Sequence, residues 1–387
     1  MKYPAIDSSL FIENRKKFTA KLKPGSIAII HSNYEYVWNG DATHPFKQSS
    51  DLLWLCGIDQ EDSILLMFPD CPIPEFRECL FLKQTNAHIA IWEGHKYTKE
   101  EATKASGIAN VYWNNEFESK SRAVINMADN IYLTLNENDR YSGVSPYRAL
   151  DFAKEIQQKY PLHQYVRAGN ILQRLRSVKS EIEIELIKHA IGISKKGFER
   201  LLKFVKPGVM EYEIEAELIH EYIRNAANGH SFAPIVGSGK SATVLHYVEN
   251  NRQTKDGDLL LVDCGVDYAN YSSDMTRCLP VNGKFTQRQK DVYNAVLRVM
   301  RAATKMLTPG TMLMEYQARV GKELMEKELV DLGLITMDDI RNEDPNWPAY
   351  KKYFMHGTSH FLGIEVHDVG MRYEPMQVNN LFTCEPG

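Results

Sequence analysis

The sequence predicts an α+β chain in two domains: a smaller mixed α/β domain over residues 1–172, then an α+β domain over residues 173–387. Three observations predict it. At 387 residues the chain exceeds the size at which one hydrophobic core usually keeps growing. Short apolar runs broken by turns dominate its first part, which is a strand signal. Long amphipathic stretches with Pro-Gly stops dominate its second part, which is a helix signal.

In order along the chain, Ser26–Ile30, Tyr36–Trp38, Ser63–Phe68 and Glu78–Leu82 read as strands, and Lys99–Ser106 and Tyr147–Lys159 as helices. Trp92, in Ile-Ala-Ile-Trp-Glu-Gly, reads as a buried core residue, with a subunit contact as the alternative. The second domain opens with a long helix. Ser180 with Glu183 has capping-box spacing, and Ile187, Ile191, Phe198, Leu201, Leu202 and Val205 keep a helical period until Lys206-Pro207-Gly208 stops it. Another helix is read over Glu211–Ala227, followed by strands at Ala233–Gly237, Leu259–Asp263 and Thr276–Pro280. Val205-Lys-Pro-Gly-Val-Met before an acidic helix is echoed by Leu307-Thr-Pro-Gly-Thr-Met before another. The echo is either a common helix stop used twice or the mark of two related halves that face each other across a cleft.

Composition narrows the function classes. Hydrophobic residues make up 43% and charged residues 25%, with a formal net charge of -4, so nothing favours nucleic acid or an anionic membrane as partner. The N-terminus lacks the apolar core of a secretory signal and no apolar run approaches membrane-spanning length, so a cytoplasmic location is expected. The six cysteines, Cys56, Cys71, Cys79, Cys264, Cys278 and Cys384, lack CxxC spacing and read as reduced thiols.

The chemistry concentrates near the C-terminus, in His356-Gly-Thr-Ser-His360-Phe-Leu-Gly-Ile-Glu-Val-His367-Asp-Val-Gly370, with Glu385 eighteen residues after His367. A single histidine among apolar neighbours is ordinarily a hydrogen-bonded core residue; three in twelve residues favour at least one metal ligand. Upstream, Asp263 ends the apolar strand Leu259-Leu-Leu-Val and Asp274 begins the next, with ten residues between them. They are either turn-flanking aspartates or, if the strands pair antiparallel, two carboxylates facing one another. Glu385 closes the β-prone run Leu381–Gly387, as a solvated or a buried strand-end residue. Asp263, Asp274, His360 and Glu385 would make a shell of oxygen plus one imidazole, which suits a hard divalent cation and a metal-assisted hydrolase.

These motifs resemble a known family. Val262-Asp-Cys-Gly, Ser273-Asp-Met-Thr-Arg, His356–His360, His367-Asp-Val-Gly370 and Thr383-Cys-Glu-Pro-Gly387 are similar to the signatures of the pita-bread metallopeptidases, in particular the aminopeptidase P (Xaa-Pro aminopeptidase) and prolidase group. Phe46–Gly57 resembles that group's non-catalytic N-terminal domain, which implies a role in oligomerisation and access to the site. The resemblance implies a pita-bread C-terminal fold and two divalent metal ions, Mn(II) by expectation. Asp263 would chelate one ion, Asp274 bridge both, and His360 and Glu385 hold the other. His246, in Pro234–Tyr247, together with His356 and His367, would contact substrate. Glu385, His367 and His246 would share the catalytic proton and hydrogen-bond work.

The implied reaction is release of the first residue from peptides with proline second, by a homodimer or homotetramer. A prolidase acting on Xaa-Pro dipeptides is the alternative, and an inactive peptide- or protein-binding module of the same fold is the reading from another class. The family's last ligand is a glutamate beyond Glu-Pro-Gly, so a sequence ending at Gly387 is expected to be cut short of its full length.

Overall fold

A computed structural model of the chain describes residues 2–138, 143 and 145–387. They form two compact units, Pro4–Arg176, and Ser177–Gly387 with Lys2 and Tyr3. The division falls at the C-terminal end of the helix Gly169–Ser177.

The first unit is built on a six-stranded sheet in the order Asn110–Trp113, Glu78–Leu82, Ile64–Met67, Ser26–His31, Asn130–Leu133, Gln164–Arg167. Ile64–Met67 runs against the other five. Ser26–His31 is buried at every position, which is why its central run, Ile27–Ile30, is continuously apolar instead of alternating. Ile27, Ile29, Leu66 and Phe81 pack against Val124, Ile125, Phe152 and Ile156 to form the core. The strands Asn110–Trp113, Asn130–Leu133 and Gln164–Arg167 escape the pattern reading because each has only four residues and opens on a polar one. Trp92 is not a core residue: it is 79% exposed on the helix Ala87–Glu93, which buries none of its side chains.

The second unit opens with the 24-residue helix Glu181–Phe204. Its capping box is complete, since Ser180 Oγ accepts from the Glu183 N–H at 3.3 Å and the Glu183 carboxylate accepts from the Ser180 N–H at 2.8 Å. Ile187, Ala190, Ile193, Phe198 and Leu201 face the interior, whereas Ile191 and Leu202, expected on the apolar face, are exposed. Helix Glu211–Arg224 follows, and then a three-stranded antiparallel sheet in the order Ile235–Ser238, Leu259–Cys264, Met275–Pro280. The run Leu381–Gly387 is not a strand; it is tied by an isolated bridge between Phe361 and Phe382 and by the Glu385 N–H bond to Thr358 O. No helix of the described residues is long and apolar enough to cross a membrane.

The Pro-Gly echo has a structural counterpart. Gly208 donates to Thr254 O and the Thr254 N–H returns to Val209 O, both at 2.9 Å. Gly310 donates to Met376 O and the Met376 N–H returns to Thr311 O, both at 2.8 Å. Met210 and Met312 then each stand at the N-cap of a helix, Glu211–Arg224 and Leu313–Arg319. Nine residues beyond Thr254 stands Asp263, and nine beyond Met376 stands Glu385. The repeated turn therefore sets two candidate ligands at equivalent places.

Gly208 has φ +94° and Gly310 φ +91°, and a β-carbon on either would meet nothing within 4 Å. Alanine at either position is resisted only by the left-handed backbone, so each substitution should cost about 1–2 kcal/mol. The check is urea unfolding: the midpoint should fall with an unchanged slope, and an unmoved midpoint would show that the turn does not require this conformation.

Candidate metal centre

The Leu259–Cys264 strand alternates in burial, so Leu260, Val262 and Cys264 enter the core while Asp263 projects from the opposite face. Cys264 is therefore a packing residue. Asp263 is paired in register with Thr276, and Asp274 immediately precedes that partner strand. The antiparallel pairing required for facing carboxylates is present.

His360 completes the group from the other half of the unit. Its Nδ1 lies 2.9 Å from the Phe361 carbonyl, which fixes that nitrogen as the donor and aims Nε2 at the carboxylates. Nε2 stands 3.3 Å from Asp274 Oδ2 and 3.2 Å from Glu385 Oε1. One ligand atom each from Asp274, His360 and Glu385 lies within 4.8 Å of the others. Asp263 adjoins them, close enough for its carboxyl to feel both Asp274 and Glu385.

The electrostatics are those of a crowded anionic site. Burial and the neighbouring Asp274 charge push Asp263 up to about 7, against a hydrogen bond from Thr276 that works the other way. Burial raises Glu385 as well, with His360 opposing and Asp274 adding. Burial works against a charged His360, but the bond to Asp274 and the field of Glu385 outweigh it and raise its pKa. Asp263 Oδ1 is buried with no hydrogen-bond partner among the described residues. Three carboxyls around one imidazole, one oxygen unsatisfied, fit a hard divalent cation, which would neutralise the excess charge and occupy the idle lone pairs.

Two residues that sequence reasoning missed brace the group. Thr383 Oγ1 accepts from the His360 N–H and donates to Glu385 Oε1, both at 3.1 Å, and Thr276 hydrogen-bonds Asp263. Each threonine lies two residues from a carboxylate, Thr383 before Glu385 and Thr276 after Asp274. The extended-chain period of two would have placed them on the same face.

The other histidines are placed unequally. The His367 ring stands 4.4 Å from that of His360, edge-on at 89°. His356 lies 2.9 Å from the carbonyl oxygens of both Gly357 and Gly387, and close enough to Glu385 to lower its pKa. His246 sits on an exposed turn, and no hydrogen bond among the described residues joins it to the cluster. Its neighbour Tyr247 anchors that turn by donating to the buried Glu211 at 2.7 Å.

A family model described as metallopeptidase family M24 matches residues 185–387, the segment that holds every residue of this cluster. The chain belongs to metallopeptidase family M24. A second model, the aminopeptidase P N-terminal domain, matches residues 11–132. This M24 chain is 31% identical to a Haemophilus influenzae Xaa-Pro aminopeptidase, over 97% of this chain and 85% of the relative. It superposes on a zinc-substituted Escherichia coli aminopeptidase P in complex with product with a TM-score of 0.85 and 28% identity, covering 99% of this chain and 87% of that one. A human Xaa-Pro dipeptidase is 29% identical over 94% of this chain and 74% of the relative. As an M24 metallopeptidase with this pita-bread domain, the chain is a metal-dependent hydrolase.

The three raised pKa values have one sign. Asp263 and Glu385 keep protons in the folded state that the unfolded chain has released, and His360 keeps its charge likewise, so each makes stability fall as pH rises. For Asp263 the loss runs from 3.8 to about 7, and His360 extends it upward from 6.5. Chelator-treated protein should therefore lose stability relative to its Asp263→Asn variant between pH 5 and pH 8, and a divalent cation should restore it at pH 8. A melting-temperature difference that stays constant with pH would contradict the crowding.

Proposed function

We propose that this M24 chain is an Xaa-Pro aminopeptidase, releasing the first residue from peptides whose second residue is proline. The observation that carries the reading is the convergence of Asp274, His360 and Glu385 beside Asp263, in a chain similar along nearly its whole length to Xaa-Pro aminopeptidases. Asp263, Asp274, His360 and Glu385 would hold the ions. When bound, divalent cations lower the pKa of water and polarise the scissile carbonyl. Mn(II) is the ion we favour, because the donor set is mostly carboxylate oxygen without thiolate.

The side chains then have separate tasks. Glu385, with Oε1 held by Thr383, takes the proton of the attacking water as the new C–O bond forms. It returns that proton to the prolyl nitrogen as the C–N bond breaks, leaving proline as a secondary amine. His367, beside His360, donates to the oxygen of the tetrahedral intermediate. His356 contacts the substrate near Glu385, and His246 reaches the scissile region from its exposed turn. An Xaa-Pro bond offers no amide N–H, so recognition falls on the ring and on the free α-amino group.

The same reading expects a homodimer or homotetramer in the cytoplasm. Ile91 and Trp92, 77% and 79% exposed on a helix without buried side chains, support a contact surface. The free state of all six cysteines supports a reducing compartment.

Manganese-loaded protein should release the first residue of an Xaa-Pro-Yaa tripeptide faster than it cleaves an Xaa-Pro dipeptide; the reverse order would make it a prolidase. Asp274→Asn should lower tripeptide turnover more than about a hundredfold, whereas His367→Ala should lower kcat about a hundredfold with metal content retained. Unchanged turnover in Asp274→Asn would overturn the assignment, and metal loss in His367→Ala would make that histidine a ligand.

A further inference from the structure

Lys179 lies just ahead of the long helix Glu181–Phe204, and its side chain is only 1% exposed. Its Nζ stands 2.9 Å from Oδ2 of Asp368, whose side chain is 2% exposed. Two opposite charges removed from water gain little over an apolar pair of the same size, so stability alone does not account for them. What the pair does is hold a place in the chain, and that place adjoins the site.

Asp368 directly follows His367. Its own N–H donates to Phe361 O at 3.0 Å, the same carbonyl that accepts from His360 Nδ1 at 2.9 Å. Asp368 is thereby tied through its backbone to the residue that orients the candidate ligand, and through its side chain to Lys179. The lysine is anchored in turn. Its N–H donates to Asn379 O at 2.9 Å, and Val178 bridges Asn380, in the stretch that leads to Glu385. Gly363 closes over the pair, and a β-carbon there would run into both Asp368 Oδ2 and Lys179 Cε. Nothing larger than glycine fits while the ion pair holds.

We propose that Lys179 is a positioning residue, which through its buried ion pair with Asp368 fixes the His367 imidazole edge-on against His360. Its kinetic consequence rests on the Xaa-Pro peptidase reading; its geometric consequence does not. Without the ammonium, the buried Asp368 carboxylate loses its counter-charge, and it must take up a proton or shift toward water. Such a shift carries the adjoining peptide unit, and with it His367.

The test is a double-mutant cycle with a structural arm. Lys179→Met, of similar length and uncharged, should lower kcat on an Xaa-Pro-Yaa peptide about tenfold to a hundredfold, with KM within about twofold and metal content unchanged. In the His367→Ala background the same substitution should cost less than about twofold, because the group it acts through is gone. Equal losses in both backgrounds, or loss of metal, would overturn the proposal. A crystal structure of Lys179→Met should show the His367 ring moved from its perpendicular place at 4.4 Å from His360, and an unmoved ring overturns the proposal whatever the kinetics. If His367→Ala alone leaves turnover unchanged, the catalytic reading of that histidine fails, and the ring position still decides the role of Lys179. Should Lys179→Met not fold, Asp368→Asn enters the same cycle with the same expectations.

Discussion

Three carboxyl groups, Asp263, Asp274 and Glu385, are brought against a single imidazole in a place largely closed to water. Left to themselves they repel, and the fold answers by retaining protons: Asp263 and Glu385 are pushed up, and His360 holds its charge more tightly. A divalent cation held by these residues would resolve the same conflict without protons. The crowding that makes the metal-free site costly is thus what gives it affinity for a hard cation.

The scaffold that enforces this crowding is a repeated device. Each half of the second unit runs a helix into a Pro-Gly turn, pairs that turn with a returning segment through an isolated bridge, and has a carboxylate nine residues later. Asp263 and Glu385 reach the site by this route, while Asp274 and His360 arrive from the neighbouring strand and the opposing segment. Behind the ligands stand the threonines at 276 and 383 and the Lys179–Asp368 pair, which fix orientation in place of contributing charge to the ion.

Much of this was legible in the sequence where a local rule governs the outcome. The capping box at Ser180 and Glu183, the apolar strand that carries Asp263, and the grouping of histidines around His360 each follow from spacing alone, though that strand runs on to Cys264. The Pro-Gly echo was legible as a pattern, but its meaning depended on the hydrogen bonds to Thr254 and Met376, which lie far away along the chain. What the sequence hid was tertiary context. Ile191, Leu202 and Trp92 are apolar in type but have nothing to cover them. Leu381–Gly387 is β-prone yet makes only scattered bonds. Lys179 gave no signal, because a lysine before a helix is ordinarily solvated and its burial depends on Asp368, nearly the whole unit away.

The central claim is that protons and a divalent cation compete for one crowded group of carboxyls. Calorimetric titration of the metal-free protein with Mn(II) at pH 6, repeated in buffers of differing ionisation enthalpy, measures the protons displaced on binding. The account predicts that the wild-type protein releases protons as the ion enters and that Asp263→Asn releases fewer. Binding without proton release, or the same release from Asp263→Asn, would contradict it.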